Sequence, residues 1–264
     1  MRETAAPEHD RELTENDLLS LGYSGEMATR IVKLLSEQQL LEYYLSKGRR
    51  YHCTPLTRAG EGYPLSVRKR LGDDSPGSLW AKGDISLLAT PMLSLVGSRD
   101  LCAENKAFAM EVGRQAAIQG YTLVSGNARG ADKTAQESCL AAGGNVVCVV
   151  ADSLEKQKEK DSVLYLSEDG FDCAFSSQRA LSRNRIIHSL GQMAFVAQSS
   201  LGVGGTWAGT TKNLRNRWSP VFALDDGSQS VQQLEMLGAC LIHREQLTDL
   251  KKLYNENVDL FIAL

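Results

Sequence analysis

Residues 123–135, Leu-Val-Ser-Gly-Asn-Ala-Arg-Gly-Ala-Asp-Lys-Thr-Ala, pass from apolar residues through a run of small ones into helix formers. Leu123 and Val124 close a strand-like run, and Lys133, Thr134 and Ala135 open a helical turn. Between them stand Ser125, Gly126, Arg129, Gly130 and Asp132, with nothing bulky. Glycines in a strand-to-helix turn let backbone N–H groups approach a ligand, and the helix that follows offers unpaired donors at its positive end. Such a turn leaves room for an anion and supplies an arginine to neutralise it. Asp132 is expected to be the N-cap of the following helix.

The same punctuation recurs along the chain. Residues 92–97, 121–126, 145–151, 193–198 and 220–224 are short apolar runs that read as buried strands, and 240–243 reads as an edge strand. Residues 104–120 and 132–144 are amphipathic and end in glycine, as helices do. Strands apolar throughout and alternating with helices predict an α/β fold: an extended Rossmann-like parallel sheet with helices on both faces. Upstream, Leu18, Leu19, Met27, Ile31, Leu34, Leu35, Leu40 and Leu41 have helical spacing broken at Gly22–Ser24, which predicts two or three short helices. Residues 1–12 are expected to be disordered and 47–75 extended or irregular. The expected division is a helical N-terminal region, 1–60, and a Rossmann-like domain, 61–264.

The 264 residues are 42% hydrophobic with a formal net charge of -3. The acidic, polar start argues against a secretory signal, and no apolar run is long enough to span a membrane. Six cysteines without CxxC spacing read as reduced residues, mostly of the core, with no metal site. A cytoplasmic protein is expected. Between Phe175 and Pro220 there is no Asp or Glu, yet Arg179, Arg183, Arg185, Lys212, Arg215 and Arg217 fall there. That asymmetry is either a basic patch for an anion or a solvated basic face.

Ligands of open parallel sheets collect at the carboxyl ends of the strands. Three glycine-bearing turns are expected there: Gly97-Ser98-Arg99, the stretch from Ser125 to Gly130, and Gly204-Gly205-Thr206. Backbone donors, hydroxyls and the forks of Arg99 and Arg129 suit phosphate. A fourth segment, Ser182 to Gly191, carries Arg183, Asn184 and Arg185. Arg99, Arg129 and Arg183 are expected to converge on one cradle. The GxxxxGK[ST] pattern of a P-loop is absent, no Ser–His–acid or Cys–His pairing is visible, and His188 reads as a polar helix-face residue rather than a base. No catalytic residue and no cofactor is expected. Trp207, Trp218 and Phe175 are the candidate base stackers, with core packing the alternative for Trp207.

The motifs LWAKGD (79–84), LSLVGSRD (93–100), TLVSGNARGADKTA (122–135) and SRNRIIHSLG (182–191) resemble, in order and spacing, the DNA-processing protein A (DprA/Smf) family. The likeness covers roughly residues 60–225. It implies a Rossmann-like domain that binds single-stranded DNA, forms homodimers and helps load a RecA-type recombinase during natural transformation. It also implies DNA contacts at Arg99, Ser125, Gly126, Arg129, Gly130, Arg183, Asn184 and Arg185. The loop at Gly202–Thr206 is similar to the GGxGT phosphate loop of the related "lonely guy" proteins, without the glutamate they place after the threonine; Trp207-Ala208-Gly209 stands there. The leading expectation is therefore a non-enzymatic single-stranded DNA-binding protein with Gly97, Ser98, Gly204, Gly205, Thr206 and Lys212 as further phosphate contacts. The alternatives are a sensor or hydrolase of nucleotide derivatives and an adaptor with a vestigial pocket.

Overall fold

The computed structural model describes residues 12–263. The disorder expected for residues 1–12 falls, but for Glu12, outside them. The chain divides into two units at Arg50/Tyr51. In the first, the described residues form α1 (Glu15–Ser20), α2 (Gly25–Ser36) and α3 (Gln38–Arg50). Thr14 and Asp17 cap α1 reciprocally, and Ser24 caps α2 through Met27 N–H, which places the break at Gly22–Ser24.

Among the described residues of the second unit, nine strands make one sheet. They are β1 (Thr54–Thr57), β2 (Ser78–Lys82), β3 (Met92–Val96), β4 (Thr122–Ser125), β5 (Val146–Val149), β6 (Val163–Ser167), β7 (Ala194–Val196), β8 (Val221–Leu224) and β9 (Cys240–Ile242). The helices are α4 (Leu65–Leu71), α5 (Ala103–Ile118), α6 (Ala131–Ala141), α7 (Ser177–Ser182), α8 (Asn184–Leu190), α9 (Gly204–Asn216), α10 (Gln229–Met236) and α11 (Leu250–Ala263). The strand order is β1-β2-β6-β5-β4-β3-β7-β8-β9, parallel from β6 to β9 and antiparallel at β1–β2 and β2–β6.

Every residue of β3, β4, β5, β7 and β8 is buried, because both faces of the sheet are covered. On one face α5 and α6 pack together over β3 and β4. On the other, Ile186, Ile187 and Leu190 of α8 join Val96, Val124, Val147 and Val196 in a cluster that α4 and α9 extend through Val67, Leu71 and Leu214. Ser94, facing that side, donates its hydroxyl to the Ile187 carbonyl at 2.5 Å.

Residues 47–75 are not irregular throughout: they hold the end of α3, all of β1, and α4, whose Val67 and Leu71 share a buried face four residues apart. Because β1 pairs with β2, the division falls ten residues before the expected 60/61 boundary. The α/β fold with a mostly parallel sheet and helices on both faces is as expected, and the antiparallel pairings are confined to β1–β2 and β2–β6 at one flank.

β3 has β4 on one side and β7 on the other, so chain progression reverses at β3. Crevices open at such switch points, beyond the carboxyl ends of the strands. This one is bounded by Gly97-Ser98-Arg99 after β3, Gly126–Gly130 after β4 and Ala197–Ser200 after β7.

Candidate functional site

A cavity of about 420 Å³ occupies the crevice. Gly97, Ser98 and Arg99 border it after β3, Ala128 from the turn before α6, Asp132 from the first turn of α6, and Arg183 and Asn184 from the start of α8. Gln198, Ser199 and Ser200 follow β7, and Gly204, Gly205 and Thr206 form the first turn of α9. The family-type segment at 182–191 reaches the cavity because Ile186 and Ile187 are fully buried and anchor α8 on the sheet.

Arg183 is the unusual residue. It is only 8% exposed, and no described residue accepts a hydrogen bond from its guanidinium; its Nε is buried without a partner. Its nearest opposite charge is Asp132, with Nη2 4.0 Å from Oδ2. Burial pulls the Arg183 pKa below the usual arginine value; Asp132 opposes this, and the positive charge of Arg99 adds to it. With Asp132 the nearby counter-charge, two guanidinium groups that border one cavity, one of them buried, make that cavity favourable for an anion. The Ser199 hydroxyl, also buried and without a partner, borders the same cavity. α9 begins at Gly204 with no side-chain cap, so its first-turn N–H groups are free to face an acceptor.

The turn after β4 is built to hold Arg183 in place. A Cβ on Gly126 would overlap the Arg183 guanidinium, so only glycine lets that group lie against the backbone there. Gly130 has φ +86°, and a Cβ would collide with the carbonyl oxygens of Ser98 and Arg99, which binds this turn to the one after β3. Asp132 is not the N-cap, as the spacing predicted. The helix starts at Ala131 with Gly130 as its cap, and the Asp132 carboxylate, one residue further on, folds back to accept from Gly126 and Ala128 N–H, both at 3.1 Å. Burial raises its pKa, while Arg183 and those amides oppose the rise.

Of the residues predicted from sequence, Gly97, Ser98, Arg99, Arg183, Asn184, Gly204, Gly205 and Thr206 surround the cavity. Others do not converge. Arg129 lies on exposed Asp100, Nη2 to Oδ1 2.9 Å, and does not border the cavity, so the three-arginine cradle is reduced to Arg99 and Arg183. Ser125 is fully buried, its hydroxyl accepting from Gln136 at 2.5 Å. Gly126 and Gly130 shape the walls without bordering the space. Arg185 points away, two residues and about 200° round the helix from Arg183, and donates to Glu168 at 2.7 Å and to the Asp74 carbonyl. Lys212 belongs to a neighbouring cleft.

The remaining basic and aromatic candidates are similarly sorted. Arg179 is held by Asp169 at 2.5 Å and by the carbonyls of Ala151, Cys173 and Ala174. Trp207 packs against the core cluster, Trp218 is buried, and Phe175 is exposed. His188 is not on a polar helix face: it is fully buried, its Nδ1 paired with Asn213 Nδ2 at 3.1 Å, and burial lowers its pKa to about 4. Asp132, Gln198, Ser199 and Ser200 were missed; their position directly after β7, or in the first turn of the helix that follows β4, was the available signal.

The family model for DNA recombination-mediator protein A matches residues 54–245. The DNA processing protein DprA of Streptococcus pneumoniae (strain ATCC BAA-255 / R6) is 30% identical over 184 residues, 64% of this chain and 64% of that protein. The match thus spans just under two thirds of that relative's length. Among solved structures, the DNA processing protein A of S. pneumoniae superposes with a TM-score of 0.73 at 24% identity, covering 90% of this chain and 86% of that one. A DNA processing protein A from Helicobacter pylori, solved for its single-stranded DNA binding mode, superposes with a TM-score of 0.65 at 23% identity, covering 78% of this chain and 97% of that one. With the matched segment running from β1 into the residues that follow β9, and taking in every residue around the cavity, the chain belongs to the DNA recombination-mediator protein A family.

Proposed function

We propose that the cavity binds single-stranded DNA, with a backbone phosphate between Arg183, Arg99 and the first turn of α9 and the attached nucleoside in the cavity. The observation that carries this is the buried Arg183 guanidinium, whose Nε has no hydrogen-bond partner and which borders the same cavity as Arg99. A phosphate satisfies both, since charge-assisted N–H···O bonds are the strong ones and arginine forms them in pairs. Family membership supports the same reading and extends it. On that basis the protein is a non-enzymatic, cytoplasmic homodimer that hands single-stranded DNA to a RecA-type recombinase during DNA processing and natural transformation. Among the described residues no helix is long and apolar enough to cross a membrane.

The test is fluorescence anisotropy with labelled oligo-dT at 50 and 200 mM NaCl. Binding should weaken with salt, by about 0.7 in log K per log unit of salt for each phosphate contact. Arg183→Ala and Arg99→Ala should each weaken it further. Mononucleotides that bind as tightly as oligonucleotides would instead favour a nucleotide-derivative sensor. Sizing at micromolar concentration tests the homodimer, and a monomer there would remove that part of the reading.

A further inference from the structure

Leu181 and Asn184 border not one cleft but two. The second, of about 480 Å³, lies along α9 beyond the first and is bordered also by Ala208, Gly209 and Lys212. Gly205, Ala208, Gly209 and Lys212 follow i, i+3, i+4, i+7 spacing, so one face of α9 runs past both clefts. From Gly205 to Lys212 the helix rises about 10 Å. One phosphate cannot occupy both ends.

Between the ends this face carries at most a methyl group. Its floor is fixed by Asn184, whose Nδ2 donates to the Gly205 carbonyl at 2.9 Å. Leu181, 52% exposed, stands at the lip shared by the two clefts and offers an apolar surface to a base.

The charges differ in availability. Arg185 borders the second cleft but is neutralised by Glu168 and also donates to the Asp74 carbonyl. Lys212 is exposed, has no carboxylate within 4.0 Å among the described residues, and holds its Nζ 5.7 Å from the centre of the Trp218 ring. Asp74 is the acidic residue that borders this cleft. The ring steadies the ammonium without discharging it.

Resting on the reading of the first cavity as a single-stranded DNA site, we propose that Lys212 is a second phosphate contact, about 10 Å along α9 from the first, which makes the site recognise a strand rather than a single nucleotide. The experiment uses the full chain and fluorescein-labelled dT15 at 50 and 200 mM NaCl. Removing one phosphate contact flattens the salt slope by about 0.7, so Lys212→Ala should lose about threefold more affinity at 50 mM than at 200 mM. Lys212→Arg should keep the wild-type slope. Thymidine 5′-monophosphate, which reaches only the first cavity, should compete equally against wild type and Lys212→Ala when each is half-saturated with dT15. A Lys212→Ala protein with the wild-type slope, beside an Arg183→Ala protein that has lost binding, would overturn the second contact alone. An Arg183→Ala protein that binds like wild type would overturn both readings.

Discussion

The substitution Gly126→Ala isolates the orientation of Arg183 while leaving its charge in the chain. Gly126 does not have a positive φ, so the backbone itself accepts alanine. The obstacle is Arg183: the new Cβ would overlap Nη1, Cζ and Nη2, and the guanidinium must withdraw by more than about 1 Å before the contact reaches an ordinary 3.4 Å. Such a displacement stretches a charge-assisted bond of about 2.8 Å to nearly 4 Å, where it no longer counts as one. A hydrogen bond to a charged group is worth about 1.5–3 kcal/mol, so the dissociation constant for oligo-dT should rise roughly 10- to 150-fold. Overpacking should also lower stability by about 1–3 kcal/mol, a fall of a few degrees in Tm for a chain of this size. Anisotropy gives the affinity, and a thermal melt shows that the variant is folded. A folded Gly126→Ala protein that binds oligo-dT as tightly as wild type would refute the placement of Arg183 at the phosphate.

Two further outcomes follow from buried groups elsewhere. His188 is neutral in the fold with a pKa of about 4 against 6.5 when free, so the unfolded chain binds more protons between those values and stability must rise with pH across that window. It should contribute a loss of about 3 kcal/mol between pH 7 and pH 4, seen as a steeper pH dependence of urea unfolding in wild type than in His188→Gln; equal slopes would count against it. Burial pushes the Cys139 thiol up to about 11 and Cys148 up to about 12, while Cys102 is exposed. A thiol reagent at pH 8 should therefore modify Cys102 in the native protein and leave Cys139 and Cys148 until it unfolds, and early labelling of Cys148 would contradict its burial.

Much of the central sheet could be read from sequence because β3, β4, β5, β7 and β8 are covered on both faces and so are mostly apolar, with only Ser94, Thr122 and Ser125 as polar members. β6 has the same character but follows the charged run 155–162, which hides it among loop residues. β1 contains Pro55, and β2 ends in Lys82; both belong to the antiparallel flank, where no βαβ rhythm announces a strand. At the site, Gly97, Ser98, Arg99 and Gly204–Thr206 were legible because position after a strand is a backbone property. Side-chain direction was not. Arg183 and Arg185 look equivalent in sequence, yet one projects into the cavity and the other to Glu168, since two residues of helix turn them to opposite sides. Asp132 resembled a cap because helix starts are uncertain by a residue or two, and here the two positions between Gly130 and Asp132 decide that its carboxylate meets the preceding loop.

The dryness of Arg183 has a consequence for how recognition divides its cost. A solvated arginine must shed water as its ligand arrives; this one has shed most of it when the chain folds, and Gly126 and Asp132 keep it there. Occupancy then returns to the folded state some of what assembling the protein had lost, so a bound strand and a sturdier molecule become one thermodynamic event.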